Sequence, residues 1–154
     1  MTYAIAGLAP DPFRALFTLS DADLAARNAL RLTATTHPGY PCRISLDDAA
    51  VGETVILIHH VSHDAPTPFR SAYAIYVRDV AEAPVHRDSL PPVMQKRTMG
   101  LRGFDDGGML RDARLAGPGE ADAAIRALFD NPTIAYIHAH NAAHGCFLAK
   151  IDRA

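Results

Sequence analysis

Apolar positions along this chain follow two periods, and the changes from one to the other mark its elements. Tyr3–Leu8 reads as a short strand. Asp11-Pro12 places a cap before a proline at the first helical position, and Phe13, Leu16 and Phe17 share a face of the turns that follow. Ser20-Asp-Ala-Asp23 resembles a capping box with Asp in place of Glu, opening a helix from about Asp21 to Asn28. Leu30–Thr35 is β-type. Thr54–His60 holds Val55, Ile56, Leu57 and Ile58 in a row, the run of a strand covered on both faces. Ser71–Arg78, rich in Tyr, Ile and Val, is a further strand, and Val61–Arg70, with two prolines, reads as the loop between them. Arg97–Phe104 and Met109–Ala116 flank Asp105-Asp-Gly-Gly108, a hairpin signal because glycine supplies positive φ. Glu120–Asp130 is the clearest helix: Ala121, Ala124, Ile125, Leu128 and Phe129 form a core-facing stripe, ended by Asn131-Pro132. Thr133–His140 and Cys146–Asp152 form a closing hairpin.

Strands follow strands through short turns instead of alternating with helices. The pattern predicts an α+β single domain spanning residues 1–154. Its sheet is expected to be largely antiparallel, curved or barrel-like, with short N-terminal helices and one late helix that permits one parallel crossover. No repeat or linker divides the chain. Its 154 residues suffice to bury a core, and the net charge of −2 comes from interspersed acids and bases. With no basic run, nucleic acid is not the expected partner. No stretch approaches the ~20 apolar residues of a membrane span. The N-terminus lacks the pattern of a secretory signal, so the expected location is cytoplasmic. Two cysteines, Cys42 and Cys146, make no disulfide framework and are expected as thiols. Dinucleotide and Walker loops, a Gly-x-Ser-x-Gly elbow and Cys-x-x-Cys are all absent.

Chemistry concentrates near the end, in His138-Ala-His140-Asn141-Ala-Ala-His144-Gly145-Cys146. Strand alternation places Ile134, Tyr136, His138 and His140 on one face. A five-residue turn, Asn141–Gly145, sets His140 opposite Cys146 and His138 opposite Leu148, gathering His138, His140 and Cys146; a four-residue turn would flip the sulfur away. Asn141 and Gly145 suit the corners. Two imidazoles and a thiolate are a legitimate set for a transition metal such as zinc, and a Cys–His pair is a candidate nucleophile and base. Alternatively the histidines satisfy one another and Cys146 is a small buried hydrophobe. A second cluster, His59-His60-Val-Ser-His63, reads as polar residues at a strand end, from which His60 or His63 would complete a metal set if that strand lay beside the hairpin.

In Pro38–Ala49, prolines stiffen the approach to Cys42 and Arg43, and Ser45 before Asp47-Asp48 suggests a cap and one helical turn. Arg43 beside a thiol is a candidate anchor for a carboxylate or phosphate; pairing with Asp47 or Asp48 is the alternative. Three blocks, PGYPCRISLDDAAVGETVIL (Pro38 to Leu57), TPFRSAYAIYVR (Thr67 to Arg78) and IHAHNAAHGCFLAKIDRA (Ile137 to Ala154), with AGL and LPPVMQKRTMGLRGFD, resemble the family called domain of unknown function 1203. This chain departs from that pattern at Phe69, where Tyr is expected, and near Tyr73-Ala74, where a Gly-Pro pair is expected. The resemblance implies a small, mostly bacterial protein without assigned activity. It places Cys42, Arg43, His138, His140, Asn141, Gly145 and Cys146 in the family pattern and supplies no catalytic residues.

Three functions compete. One is a small enzyme or metal-binding domain centred on His138, His140 and Cys146. Another is a non-catalytic domain that binds a small anionic molecule, with charge from Arg43, Arg70, Arg78, Arg97 and Arg102, hydrogen bonds from the histidines, and Cys42 and Asn141 beside Arg43. The third is a structural protein that acts through a partner.

Overall fold

In the computed structural model, which describes residues 1–154, the strands assemble into two antiparallel sheets. The elements run β1 (Tyr3–Ala6), α1 (Asp11–Arg14) continued by a 3-10 turn (Ala15–Thr18), α2 (Asp21–Ala25), β2 (Ala29–Thr33), β3 (Thr54–His63), β4 (Ser71–Arg78), β5 (Val85–Arg87), α3 (Pro92–Gln95), β6 (Met99–Phe104), β7 (Leu110–Ala116), α4 (Ala121–Phe129), β8 (Tyr136–Asn141) and β9 (Phe147–Arg153). The larger sheet has the order β5-β1-β9-β8-β6-β7 and the smaller β2-β3-β4. The fold is α+β, as expected. The barrel-like option gives way to open sheets, because β5 and β7 remain edges. The β7 edge is covered by exposed Arg111, Asp112 and Arg114, charges that discourage pairing with another chain.

The apolar stripe of α4 explains the main core. Ala121, Ile125, Leu128 and Phe129 are buried with Ile137 and Ala139 of β8 and with Leu148, Ala149 and Ile151 of β9. Because β7 and β8 both pair antiparallel with β6, they run parallel to each other on either side of it. The helix therefore makes the anticipated crossover, with one strand inserted. At the other end, Ser20 accepts from the Asp23 N–H at 3.1 Å, so the N-cap forms, without the return bond from Asp23 that would complete a box, and the helix ends at Ala25, short of Asn28. Phe13 and Leu16 are buried against Ile56, Ile75 and Val77 of the smaller sheet. Pro10, not Asp11, holds the cap position of α1. No helix is long and apolar enough to cross a membrane.

Three departures from expectation matter for the site. β3 runs on to His63, with a register shift between Val61 and His63, so part of the expected loop is strand. Bulges of this kind re-aim side chains. Ile134 precedes β8 and lies in the main core, sealed at 0% exposure, so it does not share the face of the histidines. In the Pro38–Ala49 segment the tight turn comes early: the Leu46 N–H donates to the Cys42 carbonyl at 3.1 Å, and no helix follows Ser45.

Candidate functional site

The closing hairpin forms with a register that separates the expected cluster. His138 pairs with Lys150, Ala139 with Ala149 and His140 with Phe147. The ladder shifts between Ala139 and His140, leaving Leu148 as the extra residue, so Leu148 and Ala149 both enter the core. Phe147 consequently occupies the position expected for Cys146. Its ring lies 5.0 Å from His138 and 6.0 Å from His140, centroid to centroid. The turn is closed by the Asn141 N–H on the Cys146 carbonyl (2.9 Å), and Gly145 takes φ +77 as its corner requires. Asn141 contributes through its side chain, whose Oδ1 accepts from the Ala143 N–H at 3.1 Å.

His138 and His140 do share a face, but they sit in an aromatic seam between the sheets. His63 reaches in from β3, with its ring 5.1 Å from His138 and stacked on Phe104 at 4.2 Å. His63 Nδ1 lies 2.9 Å from the Phe69 carbonyl, which can only accept, so Nδ1 carries the proton. Nε2 then accepts from the Tyr136 hydroxyl at 2.7 Å. His140 Nδ1 likewise donates to the Gly145 carbonyl at 2.9 Å. Burial first, then the neighbouring His63, His140, Lys150 and Arg102, push His138 down to about 3, so its ring is neutral at physiological pH. His140 is also lowered, chiefly by burial, against the opposing Gly145 bond. No three His, Cys, Asp or Glu side chains are arranged to hold a metal ion. The expected zinc set of His138, His140 and Cys146 fails to converge because the bulge offsets the sulfur by one residue.

Cys146 instead lines a second feature, a cleft of about 370 Å³ shared with Arg43, Tyr76, Arg97, Asn141 and His144. Arg43 is fixed there by its backbone: its N–H donates to the Tyr76 carbonyl at 3.1 Å, and its carbonyl accepts from the Leu8 N–H at 2.8 Å. Leu46, with φ +56 and no exposed surface, is held by bonds on both sides, to Cys42 and from the Val93 N–H. A non-glycine residue in that conformation is strained, and the surrounding turn keeps it so. The Arg43 side chain is 3% exposed. Its Nε donates to the Phe147 carbonyl at 2.9 Å and Nη1 to the Pro41 carbonyl at 2.5 Å.

No carboxylate approaches Arg43. The two nearest in sequence are drawn elsewhere: Asp47 to Arg78 at 2.6 Å, and Asp48 to Arg97 through a two-pronged bond of 2.6 and 2.9 Å. Of the five N–H bonds of the guanidinium, two have protein acceptors. Nη2 has no acceptor within the protein, and Arg43 lines the cleft. Burial pushes Arg43 down to about 10, opposed by the Cys146 and Cys42 sulfurs, and it stays charged at neutral pH.

Cys42 does not join the cleft. It is wholly buried, and its Sγ accepts three backbone N–H groups, from Ile44 (3.3 Å), Ser45 (3.4 Å) and Arg78 (3.3 Å). The sulfur is the hub of the turn that carries Arg43. Of the expected site residues, then, Arg43, Asn141 and Cys146 meet in one cleft, His138 and His140 lie in the seam, and Cys42 lies beneath the turn. Two further residues line the cleft: His144, from the same histidine-rich turn as Cys146, and Arg97, one of the arginines offered for anion binding, which arrives by tertiary packing. Neither curated proteins nor solved structures give a match to this chain. A family model, described as a protein of unknown function (DUF1203), matches residues 39–153, a stretch that contains the Arg43 turn, both sheets' central strands and the closing hairpin, and the chain belongs to that family.

Proposed function

We propose that this protein binds a small anionic molecule in the Arg43 cleft. The observation that carries the reading is a buried guanidinium that lines a cavity, with no carboxylate partner and with N–H groups that have no acceptor within the protein. An unpaired buried charge costs several kcal/mol, and a bound anion recovers much of that cost through charge-assisted hydrogen bonds. The fold spends two aspartates on neighbouring arginines and leaves this one free. The cleft's size is that of a small-metabolite site, and Asn141 and His144 add polar groups around the anchor. The mixed charge of the chain favours a small ligand over nucleic acid. Both cysteines are free thiols, which supports a reducing, cytoplasmic setting.

Thermal unfolding in the presence of inorganic phosphate, sulfate and small carboxylates tests this. At a hundredfold excess over Kd a ligand adds about 2.7 kcal/mol to stability, a readily measured rise in midpoint. Arg43→Gln should remove the rise and Arg43→Lys should keep part of it. If no anion stabilises the protein, or if Arg43→Gln responds as the parent does, the reading is wrong.

A further inference from the structure

We propose that Cys146 is a nucleophile toward small anions that carry a soft electrophilic carbon, with Arg43 seating the anionic group while the sulfur attacks. The proposal rests on the anion-binding reading and adds the chemistry to it. Two independent observations meet in this cleft. One is the nine-tenths-buried Arg43, which lines the cavity and whose Nη2 has no acceptor within the protein. The other is a thiol on the same wall that remains partly exposed, whereas Cys42 is sealed and saturated with backbone donors. Arg43 and Cys146 line the same cleft, and the sulfur opposes the effect of burial on the guanidinium. The bulge in β9 matters here, because it puts Phe147 on the histidines and leaves the preceding sulfur to the cleft.

The step balances simply. The thiolate forms a sulfur–carbon bond, the leaving group departs with its electron pair, and the thiol proton passes to solvent or to the His144 imidazole on the same wall. The substrate class is a carboxylate or other oxyanion with a leaving group on a carbon a few bonds from its charge. A simple thiolate repels such a molecule. A fixed cation beside the sulfur reverses that preference and focuses the anion onto it.

Charge-matched alkylation reads this out on the full chain. Reduced protein is treated at neutral pH and low salt with iodoacetate or with the neutral iodoacetamide, and labelling is followed by intact mass. A single label is expected, lost in Cys146→Ser. Relative to a small free thiol, the iodoacetate-to-iodoacetamide rate ratio should rise about tenfold or more. Arg43→Gln should return it to the free-thiol value and Arg43→Lys should hold it between the two. In the parent protein the ratio should fall with added sodium chloride, a check that needs no variant to fold. Inorganic phosphate should slow iodoacetate selectively. Labelling at Cys42, or a ratio equal to that of the free thiol, overturns the proposal. Phosphate stabilisation without charge selectivity at the sulfur removes the thiol chemistry and leaves anion binding standing. Absence of both removes both.

Discussion

Replacing His138 with glutamine isolates the acid sensitivity of the seam between the sheets. The ring is 3% exposed, and burial first, then His63, His140, Lys150 and Arg102, hold its pKa at about 3. In the unfolded chain an imidazole takes up its proton near pH 6.5. Between those two values the unfolded state binds a proton that the folded state refuses. Stability from this group is therefore complete above about pH 6.5 and is lost as pH falls through the window toward 3. The loss is about 1.4 kcal/mol per pH unit, or about 3 kcal/mol by pH 4.5, a large share of the ~5–15 kcal/mol that holds a domain folded. His140, lowered in the same direction, adds to the slope. The depressed carboxylates Asp48, Glu53 and Asp122 act at lower pH, because their contributions are intact above the unfolded carboxylate range and fade below it. Urea denaturation at several pH values from about 7 to 4.5 would measure the slope in the parent and in His138→Gln. The variant should lose about 3 kcal/mol less across the range, whatever its stability at neutral pH. Equal slopes in the two proteins would refute the assignment of a buried, neutral imidazole.

Three further outcomes follow from the turn that presents Arg43. In Gly7→Ala the new Cβ would stand 1.8 Å from the Ile44 carbonyl oxygen, so the Arg43 turn must move. Urea denaturation should show a loss of about 2–3 kcal/mol, and phosphate stabilisation should weaken with it. Asp48→Asn leaves Arg97 without its carboxylate at a site where both side chains are largely covered. It should cost about 2–4 kcal/mol, while a second free cation in the cleft tightens phosphate binding in a titration. Cys42→Ala strips the acceptor from three N–H groups and should cost about 1–3 kcal/mol by chemical denaturation, with Cys146 alkylation selectivity reduced as the turn loosens.

Local chemistry made much of this molecule legible. The α4 stripe, the Asp105–Gly108 hairpin and the Ser20 cap depend on residues a few positions apart, and they form as read. The shared face of His138 and His140 follows from strand alternation, which no neighbour can change. The placement of Cys146 did not follow, because it depends on a one-residue bulge beside His140 that leaves no local signature. The extension of β3 to His63 was hidden in the same way, behind a shift at Ser62 and two prolines that follow. Whether Arg43 would be paired was open in the sequence for a different reason. Asp47 and Asp48 lie within a few residues of it, and only the arrival of Arg78 from β4 and Arg97 from the segment before β6 decides where those carboxylates go.

The extra residue in β9 carries an evolutionary consequence. Removing Leu148 would restore strict alternation yet leave Phe147 opposite His140, whereas removing Phe147 would bring Cys146 into that place. A sulfur that now borders a guanidinium would then face imidazoles, and one codon lost at Phe147 would turn it into a potential third ligand for a transition ion. Members of this lineage that differ in hairpin length by one residue are therefore where a change of chemistry on an unchanged scaffold is to be sought.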